Sequence, residues 1–237
     1  MMSTPLPQQM SLGISLDDDA TFSNFYCAPG SQNAQLVQAL QTQLLPEGES
    51  FVYLWGASGV SHLLQAACHA ADKLGVSFQY LPLDELATMS PDSLLEGLDE
   101  LDWLCIDGLQ FVVANPDWEM ALFALFNGLR DKGGRLLIAA NASPNELPIA
   151  LADLQSRLNW GLTLSIQALS DEEKLAALQL RANGRGLELG DEVGQYILHR
   201  APRDMGPLFQ CLNTLDNASL AEQRRLTIPF VKQVLGF

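Results

Sequence analysis

The apolar residues of this chain follow two different patterns, which divide it at about residue 170. Before that point, short apolar runs alternate with stretches in which apolar residues recur every three or four positions. The runs lie at 51–55, 77–83, 101–107 and 135–140, with a fifth inside 160–169, and the periodic stretches lie at 32–45, 60–74, 116–132 and 151–159. Buried parallel strands joined by amphipathic helices produce this alternation. We therefore expect an α/β domain whose parallel five-stranded sheet is flanked by helices.

The segment from residue 170 onward shows helical periodicity and no strand pattern. Ser170-Asp171-Glu172-Glu173 is a capping box, which predicts the start of a helix. The predicted helices cover 171–183, 190–200, 203–216 and 228–235. At the other end of the chain, the first residues are rich in Pro, Gln and Asp and predict an extended tail. The expected division is therefore a tail at 1–19, an α/β domain at 20–169 and a small all-α lid domain at 170–237.

The first strand leads through a small-residue loop into a helix, which is the setting of a phosphate-binding loop. Loop and first helical turn consist of Gly56, Ala57, Ser58, Gly59, Val60, Ser61 and His62. In the full pattern G-x-x-x-x-G-K-[ST], backbone N–H groups surround the phosphates and the lysine neutralises them. If Gly59 is the last glycine of that pattern, Val60 stands at the lysine position and only Ser61 remains, as a magnesium ligand. The pattern alone favours a plain strand-to-helix turn over a nucleotide site.

The strand at 101–107 ends in an acid, as strands do that deliver a carboxylate to a magnesium-nucleotide site. Asp107 is that acid, and Gly108 stands where active ATPases carry a glutamate that polarises water. We therefore predict no intrinsic ATP turnover, with Ser61 and Asp107 as the candidate magnesium ligands. Asn141 follows the next strand, so it lies at the same edge of the sheet. A simple turn before Pro144 explains Asn141 equally well.

Composition limits the partners that this chain can have. It carries 28 acidic and 13 basic residues, a net charge of -15, with no cluster of five or more basic residues. Because binding to DNA phosphates needs a positive face, sequence-specific DNA binding by this chain alone is not expected, and a basic protein partner fits better. The four cysteines are widely spaced and predict reduced packing residues. No apolar run approaches a membrane span, so we expect a cytoplasmic protein without membrane contact.

Several motifs, in this order along nearly the whole chain, resemble the Hda family, the DnaA-related AAA+ regulators of bacterial replication initiation. They are Leu54-Trp55-Gly56, Ser61-His62-Leu63-Leu64, Cys105-Ile106-Asp107, Trp118-Glu119-Met120-Ala121-Leu122-Phe123, Leu154-Gln155-Ser156-Arg157-Leu158-Asn159-Trp160-Gly161 and Leu226-Thr227-Ile228-Pro229-Phe230-Val231-Lys232. The loop after Gly56 departs from the family pattern. It is about two residues shorter, and the Gly-Lys or Gly-Arg pair is missing.

The resemblance implies an AAA+ fold of the P-loop type and assigns roles to single residues. Asn141 resembles sensor 1, Arg203 resembles the sensor 2 arginine, and Arg157 resembles an arginine finger that acts on a nucleotide held by a partner. It also implies bound ADP or another nucleoside diphosphate, with magnesium. The residues alone leave simpler alternatives open, in which Arg157 pairs with Asp153 or another surface acid and Arg203 is merely solvated.

The predicted tail contains a peptide that resembles the clamp-binding motif of the same family. Its residues are Gln9, Met10, Ser11, Leu12 and Ile14. The implied partners are the beta subunit of the DNA polymerase III sliding clamp and DnaA, with self-association left open. The implied function is stimulation of the hydrolysis of DnaA-bound ATP, which prevents re-initiation of DNA replication. A nucleotide-free AAA+-like scaffold and a weak ATPase are the alternatives.

Overall fold

Five parallel strands form the central sheet of the computed structural model, which describes residues 16–56 and 58–237. The strands are β1 (Phe51–Trp55), β2 (Phe78–Pro82), β3 (Trp103–Asp107), β4 (Arg135–Ala140) and β5 (Leu162–Ser165). They lie in the order β2-β3-β4-β1-β5, and every neighbouring pair is parallel. The carboxyl ends of all five strands therefore meet at one edge. The predicted fold class, a parallel five-stranded sheet flanked by helices, is confirmed.

Helices cover both faces of this sheet. They are α1 (Gln32–Gln43), α2 (Val60–Leu74), α3 (Leu83–Leu86), α4 (Pro91–Leu95), α5 (Pro116–Lys132) and α6 (Ala152–Leu158). Leu40 of α1 and Leu64 of α2 are buried in the apolar core on one face. Trp118 and Leu129 of α5 are buried in the core on the other face. The two cores fix the sheet between helix layers, so the loops at its carboxyl edge have a rigid base.

The second part of the chain is an all-α lid with its own apolar core. Its helices are α7 (Asp171–Gly184), α8 (Asp191–Arg200), α9 (Met205–Glu222) and α10 (Ile228–Leu235). The predicted capping box begins α7, because Ser170 N–H donates to Glu173 Oε2 and Glu173 N–H donates to Ser170 Oγ. Leu208, Leu212 and Phe230 are among its buried residues.

Some element bounds differ from the sequence expectation. The strands expected at 77–83 and 101–107 are shorter, since they cover Phe78–Pro82 and Trp103–Asp107. The third lid helix begins at Met205 with Asp204 as its N-cap, so Arg203 precedes the helix instead of starting it. Within residues 16–56 and 58–237, no helix has both the length and the apolar character needed to cross a membrane.

Candidate functional site

A cleft of about 510 Å³ lies between the carboxyl edge of the sheet and the lid. The predicted nucleotide-site residues that the structure describes all line it: Gly56, Ser58, Gly59, Val60, Ser61, His62, Asp107, Asn141 and Arg203. Ala57 lies outside the described residues, as does the clamp-binding-like peptide Gln9, Met10, Ser11, Leu12 and Ile14. Strand order brings the nucleotide-site residues of the α/β domain together, because β1, β3 and β4 end at the same edge of the sheet.

Gly59 forms the sharp connection between the loop and α2. It is the N-cap of α2 with φ 83°, a left-handed conformation that favours glycine. A Cβ at this position would lie 2.9 Å from Cε2 of Phe25, so the ring of Phe25 packs directly on the loop. No side chain of residues 16–56 or 58–237 caps α2. The first N–H groups of the helix and its positive dipole end therefore face the cleft, an arrangement that attracts an anion.

Asp107 ends β3 as a buried carboxylate at the floor of the cleft. It is 9% exposed, and Tyr80 Oη donates a hydrogen bond of 2.8 Å to its Oδ2. Burial raises the pKa of Asp107 above its ordinary value, while hydrogen bonds from Ser61 and Tyr80 work in the opposite direction. Burial and the adjacent carboxylate also raise the pKa of Tyr80, which keeps its hydroxyl a donor. The sequence pattern found Asp107 but gave no signal for Tyr80.

The rest of the predicted edge is more open. Asn141 is exposed, and its backbone N–H donates to Gln110 Oε1 at 3.2 Å. The side chain of Arg203 is 75% exposed at the opposite wall, where the lid closes the cleft. Among the described residues, no three His, Cys, Asp or Glu side chains come close enough together to hold a metal ion. Any magnesium ion bound here would therefore depend on Asp107, Ser61 and the ligand's own phosphates.

The lid contributes a stripe of α7 that the sequence pattern did not single out. Lys174, Ala177 and Arg181 all line the cleft. Their spacing of i, i+3 and i+7 places them on one face of the helix. This spacing was the available signal, but it became meaningful only once the lid was known to face the loop. Ala177, which lies between the two cations along this face, is buried.

Arg181 joins the lid to the α/β part of the chain. His62 Nε2 donates to the carbonyl oxygen of Thr21 at 2.9 Å, which leaves Nδ1 as the acceptor 3.5 Å from Arg181 Nη2. Burial lowers the pKa of His62, in keeping with a neutral ring. Arg181 also lies 4.7 Å from the Phe209 ring centroid and 3.7 Å from Asp19 Oδ2. With these contacts, Arg181 anchors α7 against α2.

Arg157 lies on α6, outside the cleft. Its guanidinium carbon is 5.1 Å from the ring centroid of Trp160 and 6.0 Å from that of Phe123. Trp160 is 54% exposed and stacks at 6.2 Å on Phe51, which in turn stacks on Phe126 at 4.2 Å. The expected alternative, an ion pair with Asp153, is not among the salt bridges of the described residues. An aromatic platform at the surface therefore supports the guanidinium.

A buried carboxylate fixes the start of the helix that carries Arg157. Glu119 is 1% exposed, and it accepts hydrogen bonds from the N–H groups of Ala114, Ala150 and Leu151 at 2.6–3.1 Å. Leu151 is the N-cap of α6 and supplies no side-chain cap of its own. Glu119 thus binds the N–H of this N-cap residue and of the residue before it, which fixes the position of the helix start. The sequence pattern missed this role, because a glutamate on an amphipathic helix normally faces solvent.

Two protein families match the two parts of this chain. The profile of the bacterial DnaA ATPase domain matches residues 16–165, and that of the Hda lid domain matches residues 171–235. Among solved structures, domain III of DnaA from Thermotoga maritima has a TM-score of 0.79 at 22% identity, covering 94% of this chain and 98% of that one.

AMPPCP-bound DnaA from Aquifex aeolicus has a TM-score of 0.68 at 24% identity, covering 84% of this chain and 65% of that one. RuvB from Thermotoga maritima has a TM-score of 0.65 at 16% identity, covering 87% of this chain and 69% of that one. At these identities the structural likenesses concern the fold, which is of the AAA+ type with a helical lid.

Proposed function

The chain belongs to the bacterial DnaA ATPase domain family and carries an Hda lid domain, and from this we propose that it is an adaptor that inactivates DnaA. This membership makes it a DnaA-related AAA+ regulator of replication initiation. In the proposed activity, the chain docks on the DNA-loaded sliding clamp and stimulates hydrolysis of the ATP held by DnaA. Re-initiation of DNA replication is thereby prevented.

The position of Arg157 is the observation that carries this proposal. Its guanidinium rests on Trp160 and Phe123 at the surface, away from the cleft of its own chain. Arg157 does not line its own cleft, so in the proposed activity it enters the nucleotide site of a neighbouring molecule. There, a guanidinium stabilises the charge that develops on the transferring phosphoryl group. Glu119 and Trp160 hold Arg157 ready for this role.

The chain's own cleft suits a bound nucleoside diphosphate such as ADP. Its volume of about 510 Å³ falls in the range of small-molecule sites. The loop and the N-terminus of α2 would face the phosphates, and Ser61 and Asp107 would hold a magnesium ion, which would neutralise part of the phosphate charge. Since Val60 and Gly108 offer neither a cation nor a base, the nucleotide would act as a structural ligand without turnover.

Clamp docking is assigned to the peptide that contains Gln9 and Leu12, on the strength of its motif alone. A short extended peptide with a glutamine and apolar side chains can fill a hydrophobic groove at low ordering cost. Because this chain is negatively charged, the basic surface that complements it would then lie on DnaA. The cytoplasm is the compartment in which both partners would meet this chain.

Hydrolysis of DnaA-bound ATP in the presence of clamp-loaded DNA tests the proposal. Arginine fingers contribute about 10³ to 10⁵ in rate, so Arg157→Ala should abolish stimulation while clamp retention and melting temperature stay unchanged. Arg130 is the matched control, because its guanidinium lies 6.0 Å from the same Trp160 ring. Arg130→Ala should stimulate like the parent. Full stimulation by folded Arg157→Ala protein would refute the finger assignment.

A nucleotide-free scaffold is the second candidate, and the missing loop lysine favours it. In that case, the chain would bring DnaA to the clamp without a ligand of its own. Calorimetric titration with ADP, run beside a clamp pull-down, separates the two candidates. Clamp retention together with undetectable ADP binding would support the scaffold.

A further inference from the structure

All the lysine and arginine residues that line the described part of the cleft come from the lid. They are Lys174, Arg181 and Arg203, whereas the loop carries Val60 at the position of the usual lysine. A diphosphate in this cleft needs cationic partners in addition to backbone N–H groups. The lid is therefore the part of the molecule that can provide them.

The three cations differ in the protein groups that they already contact. Arg181 contacts His62, Asp19 and Phe209, and it connects the lid to α2. Lys174 and Arg203, by contrast, share a single acidic partner among the residues that the structure describes. Lys174 Nζ lies 3.5 Å from one carboxylate oxygen of Asp171, and Arg203 Nη1 lies 4.0 Å from the other.

The shared carboxylate is a weak partner for both cations. Both separations are long for charge-assisted hydrogen bonds, and the side chain of Asp171 is 57% exposed. Ion pairs of this kind contribute little to stability. One carboxylate also leaves the two cations with a net positive charge beside the cleft. The side chain of Lys174 is only 16% exposed, and it lines the cleft.

We propose that Lys174, together with Arg203, binds the phosphates of a nucleoside diphosphate and replaces the missing loop lysine, and that Asp171 competes with the ligand for both cations. The inference rests on the nucleotide site proposed above, which already includes Arg203, and adds Lys174 and Asp171 to it. A dianionic phosphate would displace the Asp171 carboxylate, because it carries more charge and more acceptor oxygens. The ligand would then connect the loop to the lid through its phosphates.

Calorimetric titration of the 237-residue chain with ADP and with adenosine tests this assignment. Lys174→Met keeps the apolar stem of the side chain and removes the charge, so ADP affinity should fall about tenfold or more, while adenosine affinity stays unchanged. Asp171→Asn removes the competitor, so ADP affinity should rise about two- to fivefold. Lys132→Met is the matched control, because Lys132 pairs with Asp99 and Glu100 on the protein surface.

The possible outcomes separate this inference from the proposed nucleotide site. If the parent binds ADP and Lys174→Met binds it equally well, the phosphate role of Lys174 is wrong while the site stands. Equal losses for ADP and adenosine would show a structural role and overturn the inference too. A rise in ADP affinity for Asp171→Asn at unchanged melting temperature supports the competition. If the parent has no affinity for ADP, the nucleotide site itself falls, and the role of Lys174 with it.

Discussion

At the scale of single residues, Asp107 lowers the stability of the fold, because its carboxylate is buried at the floor of the cleft. Burial raises the pKa of Asp107 above the ordinary 3.8, so the fold favours the protonated acid. Ionisation of Asp107 therefore lowers the free energy of unfolding, and this loss grows as the pH rises above 3.8. Asp107→Asn removes this loss and keeps an acceptor for the Tyr80 hydroxyl. We expect a melting temperature at pH 8 that is higher by roughly 2 °C or more, with the gain decreasing on acidification.

Asp102, just before β3, is the matched control with the opposite sign. Hydrogen bonds from the Ser77 hydroxyl and backbone lower the pKa of Asp102, so its ionised form is favoured by the fold. Asp102→Asn should therefore lower the melting temperature or leave it unchanged at pH 8, as measured by calorimetry across the pH series. A loss of stability in Asp107→Asn at pH 8 would contradict the assigned direction.

At the scale of elements, the sequence predicted the bounds of helices and strands most accurately where strong local signals mark their ends. Pro116 begins α5 and Gly133 ends it, and the helix covers the predicted residues 116–132. The predicted end of α9 at residue 216 was wrong, because the helix continues to Glu222 through residues with little apolar periodicity. Leu83 was assigned to the strand, but Pro82 ends β2 and α3 begins at Leu83.

The prediction at this scale concerns Glu119, because two of its three partners lie 31 and 32 residues away in sequence, at the start of α6. Glu119→Gln replaces two acceptor oxygens by one and directs an NH₂ group at N–H donors. Loss of the charged acceptor should destabilise the fold by roughly 2–4 kcal/mol, as measured by urea unfolding.

The same substitution should also weaken stimulation of DnaA-bound ATP hydrolysis below the melting temperature, because α6 carries Arg157. Glu146→Gln is the control, since Glu146 accepts from Ser143 in a neighbouring exposed loop. Equal effects of the two substitutions would show that Glu119 has no special role in positioning α6.

At the scale of the whole molecule, the sequence predicted which loops meet but not how the lid closes on them. Parallel strands that end at one edge are sufficient to bring Gly59, Asp107 and Asn141 together. The sequence pattern alone therefore predicts that these residues meet. The contacts of Lys174 and Arg181 depend on the orientation of the lid, which no local pattern encodes. The segment around Asp19 contributes to that orientation, although composition assigned it to the tail.

Asp19 is an anionic partner shared by Arg181 and Arg185, two like charges four residues apart at the C-terminal end of α7. Arg185 also lies 3.9 Å from Asp216 Oδ2. Asp19 Oδ2 lies 2.6 Å from Arg185 Nη2 and 3.7 Å from Arg181 Nη1. Burial, and after it the charge of Arg185, lowers the pKa of Arg181. Like charges at i and i+4 destabilise a helix, and salt screens their repulsion.

Asp19→Asn should therefore loosen the lid, lower the melting temperature by about 2 °C or more at low salt, and speed proteolysis at residues 166–170. Asp18→Asn changes the same net charge on an exposed neighbour and should leave both measurements at parent values. If high salt does not reduce the difference between the two variants, repulsion between Arg181 and Arg185 is not what Asp19 relieves.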